Sequence, residues 1–176
     1  VLAILKEWSS RAFGFVYLNP VHTRESLDEL ERCVADGPMI GIKLWVGTRC
    51  NRPELDPIVR RAAELNALIL QHTWIKQRTK GNLKNESTPM ELAELSSRHR
   101  GVPLVCGHTG GGDWALGIRA IRAHPEIHAD LGGGECAVAR TDRTDRLAPL
   151  LAPGSHLEVR PHPLERGDQP GSRRVQ

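Results

Sequence analysis

The chain has 176 residues, a formal net charge of +3 and a charged fraction of 26%. This length fits one domain with a sizeable hydrophobic core, and the charged fraction is ordinary for a globular protein. The charge is dispersed, and no stripe of basic residues interleaves with aromatic ones, which argues against nucleic-acid binding. No apolar run approaches the length of a membrane span, and the first residues lack a signal-peptide pattern. We therefore expect no nucleic-acid partner and no membrane partner.

The four cysteines, Cys33, Cys50, Cys106 and Cys136, are scattered along the chain and form no CxxC pair. Scattered cysteines favour free thiols in a reducing cytoplasm over a disulfide framework or a zinc knuckle. On this basis we predict a cytoplasmic protein whose cysteines form no structural cross-links.

The first half of the chain alternates short apolar strands with amphipathic helices. Residues 13–18 are predicted to form a strand, and a helix over 23–35 follows, with its first residue, a threonine, as the N-cap. A second strand is predicted over 40–46 and a second helix over 53–66, where apolar residues recur at helical spacing. The run at 67–72 is the next predicted strand.

The same alternation continues through the second half. A polar loop over 76–87 leads to a Thr-Pro pair that starts another helix with proline at its first position. A strand is predicted over 102–108, a helix over 113–124 that begins at a capping aspartate, and a strand over 127–131.

Five strands separated by four helices imply parallel pairing with right-handed crossovers. A doubly wound sheet and a (β/α)8 barrel both satisfy this pattern. The sequence contains no GxGxxG after a strand and no GxxxxGK[ST], so the nucleotide-binding sheet lacks its signature and the barrel is favoured. Five units cannot close eight strands. We therefore predict a partial (β/α)8 TIM barrel of about five to six consecutive βα units, covering residues 1–136.

The remaining segment, residues 137–176, has a different composition. It contains arginine but no lysine and no aromatic residue, and prolines interrupt its second half. An irregular or disordered tail is the simple interpretation. A sharper hypothesis is that the native reading frame was lost near Glu135 or Cys136, as happens in gene fragments.

Two apolar runs lead into the same dipeptide. In ALILQHTW it is His72-Thr73, and in VPLVCGHT it is His108-Thr109. Functional side chains of parallel α/β folds gather at the carboxyl ends of strands. Strand alternation puts His108 on the same face of its strand as Cys106. It puts His72 on the same face of its own strand as the alternate leucines. If these faces line the barrel, both imidazoles point into one mouth, where neutral imidazole is a common zinc ligand. The alternative is that each histidine is structural.

Several neighbours of these histidines are further candidates. Lys43 lies in an otherwise apolar strand, so its ammonium group needs a partner near the site. Trp74 follows His72 into its loop and is predicted either to line a substrate pocket or to pack generically. The glycines at 110–112 indicate a tight turn rather than a phosphate cradle. Asp130 and His128 are interpreted as supporting polar groups.

The segments GFVYLNP, GIKLW, LILQHT, VPLVCGHTGG and IHADLGGGE, in this order and spacing, resemble the amidohydrolase-related branch of the amidohydrolase superfamily. The resemblance covers residues 13–135. It implies a (β/α)8 barrel and a metal-dependent enzyme, since this branch contains hydrolases and some non-oxidative decarboxylases.

The resemblance also implies roles for matching residues. His72 corresponds to the metal-binding histidine of the family's fifth strand. His108 corresponds to the sixth-strand histidine, which binds a second metal or, with a single metal, orients or deprotonates the attacking water. Lys43 occupies the position of a carbamylated lysine in two-metal members, but an ammonium that pairs with a carboxylate or with the substrate is favoured here. The resemblance thus implies a divalent metal cofactor, with zinc expected, and a small-molecule substrate.

Two parts of the family's metal site have no match. The family's first strand carries a metal-binding HxH pair, and no HxH occurs in residues 1–15. The family's eighth strand ends in an aspartate, and this chain offers only Gly-Ser-His, ending at His156, in the corresponding region. We expect the chain to start after the first two strands of a parent gene whose full-length product is a candidate homo-oligomer. The prediction is a fragment of a metal-dependent hydrolase that is inactive alone. A metal-dependent decarboxylase on the same barrel and a non-catalytic α/β binding module are the alternatives.

Overall fold

The computed structural model describes residues 1–76 and 81–132, and its centre is a five-stranded parallel sheet. The strands follow one another across the sheet in chain order, without the reversal of a doubly wound sheet. Successive strands are joined through helices, the repeating unit of a TIM barrel. The predicted partial barrel is thus confirmed. The strands are β1 (Phe15–Leu18), β2 (Gly41–Leu44), β3 (Leu68–His72), β4 (Leu104–Gly107) and β5 (Ile127–Ala129).

One α-helix precedes the sheet and four connect its strands. They are α1 (Leu2–Glu7), α2 (Thr23–Leu30), α3 (Asp56–Glu64), α4 (Pro89–Arg98) and α5 (Trp114–Ile121). Short 3-10 turns lead into α2 and α3, a π turn follows α2, and a kinked turn over residues 108–113 precedes α5. The α-helical parts are therefore shorter than predicted. Sequence periodicity gave no sign of α1, because this short helix buries only one side chain. Within the described ranges, no helix has both the length and the apolar character to cross a bilayer.

The helix starts show which capping predictions hold. Thr88 and Glu91 form a reciprocal capping box, with proline at the first position of α4 as predicted. Asp113 caps α5 by accepting a hydrogen bond of 2.9 Å from the backbone N–H of Leu116. The prediction that Thr23 caps α2 is wrong. Its hydroxyl instead donates to the preceding backbone, because a 3-10 turn capped by Asn19 already leads into the helix.

One face of the sheet is buried beneath the connecting helices and forms the core. Register places one apolar residue of every strand in a row across this face. Burying each such side chain contributes about 1.5–3 kcal/mol, so this face supplies much of the driving force for folding. The row consists of Val16, Ile42, Ile69, Leu104 and Ile127.

The opposite face is open in the described part of the chain. Register joins another residue from each strand in a row: Tyr17, Lys43, Leu70, Val105 and His128. Tyr17 is 52% exposed, in contrast to the fully covered row on the other face. This is the face that a closed barrel would enclose, and it carries the candidate lysine.

Cys33, Cys50 and Cys106 are buried free thiols. Burial raises the pKa of Cys50 to about 12 and that of Cys106 to about 11. Both thiols therefore stay protonated and unreactive at neutral pH. Cys136, His156 and the tail over 137–176 lie outside the described residues, so the irregular tail and the lost reading frame stay predictions.

Asp56 connects the start of α3 to the end of α4. Its Oδ1 is 2.8 Å from His99 Nε2 and accepts a hydrogen bond of 3.0 Å from Arg98 Nη2. Arg98 also donates to the backbone carbonyl of Asn51 at 2.9 Å. Burial alone would raise the pKa of Asp56, but the hydrogen bonds from His99 and Arg98 bring it below its usual 3.8. The carboxylate therefore stabilises the fold above its unfolded-state pKa, and this contribution is lost as pH falls through the folded-state value.

We expect Asp56→Asn to lower the free energy of unfolding by about 1–2 kcal/mol at neutral pH, because hydrogen bonds to a charged acceptor are weakened. The difference from wild type should begin to shrink below about pH 4, where the unfolded-state carboxyl becomes protonated, and should be lost once the folded-state carboxyl is protonated as well. Urea unfolding at pH 7 and at acidic pH measures both values. Glu54→Gln, an exposed carboxyl group just before α3, is the control. An equal difference at both pH values would show that packing, not charge, is responsible.

Candidate active site

Two histidines meet at the carboxyl edge of the sheet. His72 is the last residue of β3, and His108 directly follows β4. Their ring centroids are 5.0 Å apart with the planes at 75°, an edge-to-face arrangement. The structure thus places side by side the two residues that the repeated His-Thr pattern predicted as neighbours.

The expected reason for this meeting is wrong for β4. Register pairs His72 with Gly107, whereas Cys106 pairs with Gln71 on the helix-covered face. Simple alternation would therefore send His108 to the buried side with Cys106. Instead, His108 has a φ of 60°, in the left-handed region, which ends the alternation. The imidazole reaches His72 because the backbone turns, not because the strand continues.

Asp130 holds this turn from the end of β5. Its two carboxylate oxygens accept hydrogen bonds from the backbone N–H groups of His108, at 3.1 Å, and Gly132, at 2.8 Å. This is the supporting role predicted for Asp130. His128, the other predicted supporting residue, lies two positions earlier in the open-face row.

The threonines of the two His-Thr pairs have equivalent contacts. The Thr73 hydroxyl donates to the carbonyl of Gly107 at 2.7 Å and accepts from the N–H of Gly110 at 3.3 Å. The Thr109 hydroxyl donates to the carbonyl of Asp130 at 2.7 Å. Each threonine therefore ties the end of its own strand to the next strand, at positions where regular ladder bonding stops.

His72 lies in a mostly buried environment, with 12% of its side chain exposed. Its Nε2 is 3.2 Å from Oε1 of Glu86, a carboxylate that is itself buried. Burial lowers the pKa of His72 below its usual 6.5; the hydrogen bond with Glu86 opposes this, and the nearby charges of His108 and Lys43 add to the lowering. The imidazole is therefore neutral at pH 7, which is the form that binds metal ions.

Each histidine has one ring nitrogen engaged and one left for a ligand. Nδ1 of His108 hydrogen-bonds the carbonyl of Gly132, and Nε2 of His72 faces Glu86. This matches metal-binding histidines, whose second nitrogen donates to a carboxylate or backbone carbonyl. Two imidazoles fit part of a zinc ligand set. Across residues 1–76 and 81–132, no group of three or more His, Cys, Asp or Glu side chains is placed to hold a metal ion.

Aromatic rings surround the histidine pair. Trp74 stacks nearly parallel to His72, with centroids 6.2 Å apart, and meets His108 edge-on at 5.3 Å. Trp45 meets His72 edge-on at 6.2 Å and is 51% exposed. Trp74, predicted as a pocket or packing residue, thus contacts both imidazoles. Sequence reasoning missed Trp45, although its place directly after β2 satisfies the same strand-end rule as His72.

Lys43 lies on the open face, one step below the histidines. It pairs in register with Leu70, which shares a strand face with His72. Burial lowers the pKa of Lys43, while the negative charge of Asp130 raises it in part. Asp130 acts on this ammonium group only through its charge, since no hydrogen bond or ion pair joins the two side chains. The lysine is a cation that faces the same opening as the imidazoles.

Glu86 is a second site residue that sequence reasoning missed. It lies in the loop predicted only as polar, yet it is 4% exposed and contacts His72. Composition cannot separate a buried, paired carboxylate from a solvated one, because both occur in polar segments. The pattern contained no signal that could have identified it.

The glycine turn after His108 is a tight turn, as predicted. Gly111 has a φ of 58° and a ψ of −110°, a conformation that other residues rarely adopt. A Cβ atom at this position would lie 2.4 Å from the ring of Trp74. Only glycine therefore lets the indole pack over the turn and against the histidines.

We expect Gly111→Ala to lower the free energy of unfolding by about 3 kcal/mol or more, since it adds backbone strain and overlap with Trp74. Urea unfolding measures the loss, and near-ultraviolet circular dichroism reports the displaced indole. Gly101→Ala is the matched control, because Gly101 also has a positive φ, 83°, but has no described atom within 4 Å of its Cβ position. Equal losses in the two variants would show that Trp74 packing contributes nothing.

Residues 1–158 match the family model described as amidohydrolase. The match includes residues 13–135, where the resemblance lies, and extends beyond them at both ends. No curated protein matches the chain significantly.

Proposed function

The chain belongs to the amidohydrolase family, and we propose that its histidine pair is the metal-binding part of a hydrolase active site. The observation that carries this proposal is the 5.0 Å approach of the His72 and His108 rings at the carboxyl edge of the sheet. Hydrolase-type chemistry follows from the family. Metal dependence, zinc as the ion, a small-molecule substrate and a cytoplasmic location are the further parts of the proposal.

His72 and His108 would hold the ion through the ring nitrogens that their hydrogen bonds leave free. When bound, a divalent ion supplies Lewis-acid chemistry and lowers the pKa of water toward neutrality. The two imidazoles are suited to this task because burial keeps His72 neutral. The turn held by Asp130 fixes where the His108 ring can lie.

His108 has an alternative proposed role as the catalytic base where the site holds a single ion without it, because its one free lone pair cannot bind a metal ion and accept a proton at the same time. Its Nδ1 bonds the carbonyl of Gly132, a group that can only accept, so Nδ1 carries the proton and Nε2 is the basic nitrogen. A basic nitrogen beside the neighbouring imidazole can take a proton from water or orient it for attack. Trp74, which packs against both rings, would form an apolar wall for the substrate. Lys43 would bind a negatively charged group of the substrate from the open face.

Two imidazoles without a carboxylate are a poor ligand set for zinc. In the part of the chain that the structure describes, no third ligand joins them. We therefore propose that the 176-residue chain alone binds metal weakly and turns over substrate slowly or not at all. A longer parent protein, and its assembly into a homo-oligomer, stay proposals of the same kind.

A second candidate function is a metal-dependent decarboxylase on the same barrel. Lys43 favours it, because a half-buried ammonium on the open face suits a carboxylated substrate. Product analysis separates the two reactions, since a decarboxylase releases carbon dioxide, whereas a hydrolase adds water across an ester, lactone or amide bond. Both screens apply to the purified chain with added zinc.

We expect His72→Ala and His108→Ala each to weaken zinc binding by more than about tenfold, because either change removes a ligand nitrogen. Isothermal titration of the metal-free chain with zinc chloride gives the dissociation constants. His22→Ala is the control, since His22 is exposed at the start of α2.

Unchanged zinc binding in both variants would contradict the proposal and favour a non-catalytic α/β module. Tight, stoichiometric zinc with turnover by the wild-type chain would instead contradict the proposed inactivity. The two outcomes concern different parts of the proposal and are distinguished by the same titration and substrate screen.

A further inference from the structure

The loop after β3 places the buried carboxylate of Glu86 beside His72, the last residue of this strand. Glu86 Oε2 accepts hydrogen bonds from Lys76 Nζ at 2.9 Å and from the backbone N–H of Leu83 at 3.0 Å. Its other oxygen, Oε1, lies 3.2 Å from Nε2 of His72. Both oxygens of this carboxylate are thus engaged, and the side chain is 5% exposed.

The positions next to Glu86 fix it in place. Ser87 pairs with Thr73 in a parallel bridge, and its carbonyl accepts from the N–H of Trp74 at 2.8 Å. The Ser87 hydroxyl accepts from the N–H of Cys50 at 2.9 Å. Thr88 then begins the capping box of α4. Because its successors are anchored to two other segments, Glu86 has little freedom to leave the histidine.

The contacts of Glu86 determine which nitrogen of His72 carries the proton. A carboxylate that is paired with a lysine ammonium and a backbone N–H accepts hydrogen bonds and has no proton to donate. The hydrogen bond with His72 therefore requires the proton on Nε2, and the lone pair is left on Nδ1. His108 has the opposite arrangement, since its Nδ1 faces the carbonyl of Gly132.

We propose that Glu86 is a positioning residue that holds His72 in the Nε2–H tautomer and presents its Nδ1 as the ligand nitrogen. Lys76 contributes by balancing the negative charge of the buried Glu86 carboxylate. Glu86 therefore stays ionised and accepts the hydrogen bond from His72. Without Glu86 the imidazole would sample both tautomers and more than one ring orientation. This inference rests on the proposed function only for the identity of the ligand, a divalent metal ion.

The first test needs no metal and no substrate. Long-range proton–nitrogen NMR of the 15N-labelled, metal-free chain identifies the protonated nitrogen of each histidine, and His72→Ala assigns the signals of His72. We expect the Nε2–H tautomer in the wild-type chain and a mixture of tautomers in Glu86→Gln, whose amide can both donate and accept. A wild-type His72 protonated on Nδ1, or an unchanged tautomer in Glu86→Gln, would overturn the proposal.

The second test measures zinc affinity by isothermal titration. Glu86→Gln should weaken binding by about 10- to 100-fold, the usual effect of removing the hydrogen-bond partner of a metal ligand. Glu25→Gln removes the same charge from an exposed position on α2 and should leave affinity and tautomer unchanged. If Glu86→Gln does not fold, Glu86→Gln combined with Lys76→Met removes the unpaired ammonium and keeps the measurement possible. Unchanged affinity in the folded variant would count against the proposal.

The two readouts separate this inference from the proposed function. If zinc binding proves independent of both histidines, the proposed function fails, yet the tautomer of His72 still reports whether Glu86 positions it. If the histidines bind zinc but the tautomer of His72 does not depend on Glu86, the proposed function stands and this inference fails.

Discussion

The structure depends on burying one face of a parallel sheet. Because the apolar row from Val16 to Ile127 must lie beneath the helices, every connection crosses on the same side and every strand runs in the same direction. All carboxyl ends then meet at one edge. The imidazoles of His72 and His108 and the carboxylate of Asp130 come together there as a consequence of core packing, although none of them belongs to the core.

Much of this architecture could be predicted from the sequence, because it follows from periodicity and helix-start chemistry. The apolar runs gave the strands, and the Thr-Pro and Asp signals placed the starts of α4 and α5. The location of His72 and His108 at one edge of the sheet could also be predicted, since the carboxyl ends of parallel strands lie together there. How the His108 ring reaches His72 could not be predicted. It depends on the left-handed φ of His108, and strand alternation gives no indication of that backbone conformation.

Glu86 illustrates the other limit of sequence reasoning. Glu86 lies fourteen residues after His72, and the chain comes back to the histidine there. Hydrogen bonds from Lys76 and Leu83 and the bridge at Ser87 hold its side chain in a buried position. A polar loop is normally solvated, so nothing local distinguishes this carboxylate from its neighbours. The buried carboxylate of Glu86 is matched by Lys76 at 2.9 Å, and the negative charge of Asp130 raises the pKa of Lys43 in part.

The two threonines that follow the histidines have a consequence for the order of assembly. Thr73 donates a hydrogen bond to Gly107, and Thr109 donates one to Asp130. Each hydrogen bond therefore joins one repeat to a residue that is synthesised later. The rim of a given repeat can therefore reach its final shape only after the following repeat has docked. During synthesis from the amino end, each strand end would emerge before the residue to which its threonine bonds has been made. Maturation of the rim would then advance along the sheet, one repeat behind synthesis.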